Sequence, residues 1–337
     1  MKKISIEEHF TTEEHLDYLQ LILEEKYPVP EVIQEEKIIH YEVPFLSPSK
    51  REDAVSRLLD LGEARIRDMD EDGIDMQVLS LVSPGVQVFD ASAGTSLSKK
   101  INDKLAEAVN AHPTRFAGFA SLAPQNPDEA ADELERAVKE LGFKGASINS
   151  HTKGEYLDHK KFRVIFERAE KLGVPIYIHP RAPLPSIAGP YLDYPMLVTA
   201  MCGFAADVSL HALRLIVCGL FDEYPKLKII LGHLGEGLPY WLWRIDNIYL
   251  RNPFNEKLKK SPGDYFRENF YVTTSGMFWQ PPLWCSYLAT GADRILFAVD
   301  YPMELNRKAV QFMEEAPICN RDKEKIYHLN AEKLLGL

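Results

Sequence analysis

Short apolar runs alternate along the chain with stretches whose apolar positions recur every three or four residues. The short runs are "KISI" (3–6), "MQVLSL" (76–81), "RFAGFASL" (115–122), "GASIN" (145–149), "VPIYIHP" (174–180), "LKIILGH" (227–233), "NFYVTTSG" (269–276) and "RILFAVDYP" (294–302). They are continuously apolar instead of alternating, which predicts eight strands of a parallel sheet buried on both faces. Helical periodicity fills most gaps: 54–72 with Leu58, Leu59, Leu61, Ile66 and Met69, then 97–111, a helix opening near Pro127-Asp128, and 160–172. This rhythm predicts one α/β domain over residues 1–337, most economically a (β/α)8 TIM-like barrel. A doubly wound sheet shares the rhythm and stays open. There is no internal repeat and no low-complexity segment.

Two connections are long for this pattern: residues 11–51, and residues 181–204 with Pro183, Pro185, Pro190 and Pro195. Long strand-to-helix connections in a barrel commonly cover an active site. Surface decoration or an oligomer contact is the plainer reading.

Composition narrows the partners. A formal charge of −11 with no Lys/Arg-rich run excludes a nucleic-acid partner. The four cysteines (Cys202, Cys218, Cys285, Cys319) have no CxxC spacing, so they read as reduced residues without a disulfide framework or thiolate metal site. Met1-Lys2-Lys3 could begin a signal peptide, but Glu7 and Glu8 fall where its apolar segment belongs. The apolar stretch 213–221 is interrupted by Arg214 and too short for a bilayer. A cytoplasmic protein without a membrane partner is expected.

Chemistry concentrates at the predicted strand ends. The first strand runs into Glu7, Glu8 and His9, and alternation puts Glu7 and His9 on one face with Glu8 pointing away. His179 ends the fifth strand, His233 the sixth and Asp300 the eighth. In a parallel barrel these ends open on one face, so the groups converge. Imidazole and carboxylate donors form the ligand set of a catalytic divalent metal, with Zn, Mn, Mg and Fe all open. Each residue also has an ordinary reading. Glu7 and His9 could be a salt-bridged strand end, His179 could bond a turn, Asp300 could cap a helix, and Glu236 could support a helix start. Those readings must hold at four strand ends at once.

With these residues in place, the sequence resembles the amidohydrolase superfamily, in its branch of metal-dependent aromatic acid decarboxylases. The matching elements are "EEH" (7–9), "SPGVQ" (83–87), "YIHPR" (177–181), "GHLGEGLPYWLWRID" (232–246), "TTSG" (273–276) and "DYP" (300–302), in order along essentially the whole chain. Most hydrolytic members begin with an HxH pair; here a glutamate takes the first position, as in the decarboxylase branch. The resemblance implies Glu7, His9 and His179 as ligands of one divalent ion, with Asp300 as ligand or near-ligand and acid. A carbamylated bridging lysine has no candidate at a strand end, which favours a mononuclear site.

The implied reaction is non-oxidative loss of CO2 from a hydroxybenzoate-type acid, beginning with protonation of the ring carbon that bears the carboxylate. Asp300 is the expected acid, its carboxyl protonated at that moment through a pKa shifted by its surroundings. No organic cofactor is required, because the phenol is the electron source. His233 and Glu236 read as a charge-linked pair against a substrate hydroxyl. Arg244 could bind carboxylate, hold Glu236 or lie on the surface. Asn149, Phe10, Phe278, Trp279 and Tyr301 are candidate ring contacts, with core packing as the aromatic default. The resemblance and the long connections imply a homodimer or homotetramer. The same ligands could serve hydrolysis of a lactone, amide or imine by a metal-bound hydroxide. Hydration of a dicarboxylic substrate is a further alternative.

Overall fold

The computed structural model describes residues 1–43, 51–251 and 258–337. Strands β1 (Ile4–Phe10), β2 (Met76–Leu81) and β3 (Phe116–Gly118) form one parallel ladder. A second contains β4 (Ala120–Ser121), β5 (Ala146–Asn149), β6 (Ile176–His179), β7 (Ile229–Leu231), β8 (Phe270–Thr273) and β9 (Ile295–Leu296). Paired strands are consecutive in the chain.

The predicted third strand is divided at Phe119. Phe119 N–H bonds Leu79 O at 2.9 Å, whereas Ala120 N–H turns to Gly145 O at 2.9 Å, so each half serves a different neighbour. On the far side, Ile6 N–H donates to Phe297 O (3.2 Å), Asp300 N–H to Glu7 O (2.9 Å) and His9 N–H to Tyr301 O (2.7 Å). The last strand therefore lies beside the first. A doubly wound sheet would reverse its strand order; this chain-ordered cycle is of the (β/α)8 barrel type.

Ile4, Ile6, Val78, Phe119, Tyr177, Ile230, Tyr271 and Leu296 build an inner cluster. Leu79, Phe116, Ile148, Ile178 and Leu231 join the larger core that includes the helices. Burial on both faces explains why the strands lack polar alternation.

A register irregularity in β1 between Ser5 and Glu8 sets up the site. Ile4 and Ile6 join the inner cluster, and unbroken alternation would send Glu8 after them. The irregularity changes the phase, so Glu7 and His9 converge with the other ionisable groups while Glu8 turns towards Val299 and Tyr301.

The connections are more helical than their sequence suggests. The first contains helices Glu13–Leu23, Pro30–Glu35 and Ile39–Glu42. The stretch 54–72 is two helices, Arg51–Leu59 and Glu63–Asp72, parted where the Asp60 carboxylate takes Gly62 N–H at 2.7 Å. The helix expected at 97–111 begins at Ala91, because Asp90 caps it through Ser92 and Ala93 N–H.

Arg181 is fully buried and fastens the two long connections together. It bonds Glu36 at 2.8 Å and Glu42 at 3.0 Å, while Ala182 N–H reaches Glu42 at 2.8 Å. Among the described residues, Pro195–Val217 has the length and hydropathy of a membrane span. Here it is a short turn followed by helix Gly203–Val217, with Asp207 buried against Ser150 and Tyr156.

Candidate active site

Glu7, His9, His179 and Asp300 each offer one ligand atom, all within 4.8 Å of one another. They come from the C-terminal ends of β1 and β6 and from the segment after β9. The His9 and His179 rings meet edge to face at 4.6 Å between centroids. His179 Nε2 is 3.6 Å from Glu7 Oε1, and His9 Nε2 is 3.1 Å from Asp300 Oδ1. Glu7 Oε1 and His9 Nε2 are nevertheless buried without a hydrogen-bond partner. Buried polar atoms left unpaired are costly, and a divalent cation would satisfy both. Oxygen and nitrogen donors without a thiolate fit a hard or borderline ion.

His233 joins this cluster to Glu236. Its Nδ1 is 2.7 Å from Glu236 Oε1, and its Nε2 is 3.7 Å from Asp300 Oδ2. The backbone is left-handed at His233 (φ 50°), Glu236 (φ 54°) and Asp300 (φ 79°), a costly conformation for non-glycine residues. Gly276 makes room for the pair: a Cβ there would stand 2.9 Å from His233 Cδ2.

Burial would raise the Asp300 pKa, but the neighbouring imidazoles of His233 and His9 hold it well below the usual carboxylate range. Burial would lower His233, yet Glu236, Glu7 and Asp300 carry it well above its ordinary value. Both directions favour an ion pair between Asp300 and His233. Burial, with His9 beside it, keeps His179 well below its ordinary value, so the ring is neutral and has a lone pair to give.

Glu8, the apparent bystander, is buried and brackets Asp300. It accepts from Val299 N–H at 2.9 Å and Tyr301 N–H at 3.1 Å, and from the Ser5 hydroxyl. Burial pushes it up to about 7, against those hydrogen bonds. Strand alternation separates Glu8 from Glu7 and His9 but does not reveal these partners, which depend on the register irregularity in β1.

A cavity of about 380 Å³ opens over the cluster, lined by His9, His179, His233 and Asp300 together with residues of the long connections. Tyr41 and Glu42 come from the first connection; Met196, Thr199, Ala200 and Phe204 come from the second or its following helix. Val82, Ser83 and Met303 complete much of the wall. Sequence reasoning marked the segments, not these side chains.

The remaining predicted contacts are elsewhere. Arg244 lines a shallow surface groove with Trp241, Ile248 and Pro262. Phe10 belongs to the core, and Phe278 packs near Phe312 at 5.9 Å. Tyr301 bonds Asp68 at 2.7 Å and lies under the Arg65 guanidinium, while Trp279 is exposed. Asn149 is held through its backbone by Gln87 beside β6 and does not line the cavity. Apolar periodicity cannot separate an aromatic facing a ligand from one facing the core.

The amidohydrolase family model matches residues 40–337. The chain belongs to the amidohydrolase family. It is 42% identical over 345 aligned positions to a γ-resorcylate decarboxylase of Polaromonas sp. strain JS666, covering 99% of this chain and 98% of that protein. A dihydroxybenzoic acid decarboxylase structure from the same strain, with manganese and 2-nitroresorcinol bound, superposes with a TM-score of 0.89 at 41% identity, covering 100% of this chain and 97% of that one. A 5-carboxyvanillate decarboxylase from Novosphingobium aromaticivorans, with manganese and 4-hydroxy-3-methoxy-5-nitrobenzoic acid, superposes with a TM-score of 0.92 at 39% identity. Those alignments cover 100% of this chain and 96% of that one.

Proposed function

We propose that this protein is a metal-dependent, non-oxidative decarboxylase of an aromatic acid carrying a hydroxyl ortho to its carboxylate. The observation that carries the reading is the convergence of Glu7, His9, His179 and Asp300 beneath a cavity of about 380 Å³, in a chain related over its full length to aromatic decarboxylases. Glu7, His9 and His179 would hold one divalent ion, with Asp300 beside or on it. Bound there, the ion supplies positive charge to orient the acid and stabilise its phenolate oxygen. Manganese, held by the two compared relatives, is our first choice, ahead of zinc and magnesium.

Direct cleavage of an aryl–carboxylate bond would leave a carbanion. Asp300 avoids this by taking a proton from the neighbouring His233 imidazolium and delivering it to the ring carbon bearing the carboxylate. The dearomatised ring then breaks that carbon–carbon bond; its electron pair restores aromaticity, and CO2 leaves with the delivered proton in its place. His233 is placed to resupply Asp300, and the Glu236 carboxylate fixes its tautomer and orientation. Met196, Ala200, Phe204 and Met303 give the ring an apolar wall that excludes water.

We also assign a homodimer or homotetramer to the protein. Tyr240, Trp243 and Leu250 stand exposed on one helix, as at an association surface. The catalytic reading is tested by loading the protein with manganese and offering a panel of hydroxybenzoates. CO2 release from an ortho-hydroxy acid is expected. Cleavage of a lactone or amide without CO2 release from any hydroxybenzoate would replace it with hydrolysis.

A further inference from the structure

Two motif elements remain without a role in that scheme, Tyr177 of "YIHPR" and Thr273 and Ser275 of "TTSG". Their hydroxyls meet at one atom. Tyr177, Thr273 and Ser275 all donate to Glu7 Oε2, Thr273 at 2.9 Å. Ser275 Oγ also accepts His233 N–H at 3.2 Å, so its own proton remains free to donate. All four side chains are buried. The result is an asymmetric carboxylate: Oε2 is crowded with donors, while Oε1 is buried with none and faces His179 Nε2 at 3.6 Å.

We infer that Tyr177, Thr273 and Ser275 form a hydroxyl cage that restricts Glu7 to one metal-binding oxygen, Oε1, and aims it. The inference rests on the reading of Glu7 as a metal ligand. A carboxylate free to rotate can bind an ion through both oxygens. Here a two-oxygen grip would strip Oε2 of three hydrogen bonds in a site closed to water, so the single-oxygen grip is favoured. The backbone leaves no slack, since a Cβ on Gly232 would stand 3.1 Å from both Glu7 oxygens and from the Tyr177 hydroxyl. Ser275 extends the same device to the acid pair, because one hydroxyl sits between the Glu7 carboxylate and the backbone of His233. The three are positioning residues: they act through Glu7 and do not line the cavity.

The test is the Mn(II) dissociation constant, measured by titration with electron paramagnetic resonance on purified metal-free protein. Tyr177→Phe and Thr273→Val remove one hydroxyl each while keeping shape; Thr273→Ser keeps the hydroxyl. Loss of a group supporting a ligand typically weakens metal binding about 10–100-fold. We expect a loss of that size for Tyr177→Phe and Thr273→Val, with Thr273→Ser near wild type. The spectrum of bound Mn(II) should change in the first two variants, as Glu7 is released to a two-oxygen mode. A merely structural role would lower the melting temperature of the metal-free variants and leave affinity and spectrum alone. That outcome in wild-type-like binders overturns the cage. Wild-type protein that binds no Mn(II) overturns the metal reading beneath it. If Tyr177→Phe does not fold, the Thr273→Val and Thr273→Ser pair decides the matter.

Discussion

At the scale of single residues, the site divides work between groups only a few ångströms apart. If His179 is the strand-end ligand we propose, with its ring held neutral by burial, His179→Ala should abolish bound metal and activity together. Circular dichroism of the metal-free variant should stay close to wild type; full metal occupancy would remove His179 from the site. Asp300→Asn keeps the shape and loses the transferable proton. General acid catalysis is typically worth ~10²–10⁴-fold, and kcat should fall by at least that range while a non-reactive analogue still binds. Glu8 shows what alternation could and could not reveal. That it faces away from Glu7 and His9 was legible, but its bonds to Val299 and Tyr301 depend on a segment almost three hundred residues away.

At the scale of elements, the irregularity in β1 and the clamp at Arg181 do the positioning. The irregularity converts a strand whose inner face begins with Ile4 and Ile6 into one that presents Glu7 and His9. No local propensity marks such a phase change, because it is set by the register against β2. Arg181 holds two carboxylates from the first connection, and burial pushes Glu42 up to about 7 despite that cation. Arg181→Met would leave Glu42 buried with only the Ala182 N–H and Glu36 with Lys153 at 3.7 Å, at a cost of roughly 3–5 kcal/mol near neutral pH. The sign with pH follows from linkage. Without the cation the folded-state pKa of Glu42 rises further, so the folded variant binds more protons and loses stability relative to wild type as pH rises. Urea midpoints should therefore differ more at pH 8 than at pH 5; an equal gap would show that Arg181 contributes packing alone. The clamp itself could not be read from sequence, although both connections could, since pairing between segments so far apart leaves no periodic trace.

At the scale of the whole molecule, the continuous apolar runs carried the parallel architecture, and the strand-end positions carried the convergence of five ionisable groups. The division of the third strand at Phe119 escaped because its two halves are equally apolar. Phe10 and Tyr301 do not line the cavity, and sequence could not tell this because they satisfy the core pattern whichever way they face. Association is a whole-molecule property, and light scattering at micromolar concentration should give a multiple of the chain mass; a monomeric mass would leave Tyr240, Trp243 and Leu250 unexplained. The central claim is that the cluster protonates an aromatic ring carbon and releases CO2. The direct measurement is turnover of an ortho-hydroxybenzoate by manganese-loaded enzyme in D2O, with carbon dioxide and ring deuterium counted together. One CO2 per substrate, with one deuterium at the vacated ring position, is the predicted result. No CO2 from any ortho-hydroxybenzoate, or CO2 without deuterium at that position, would contradict it.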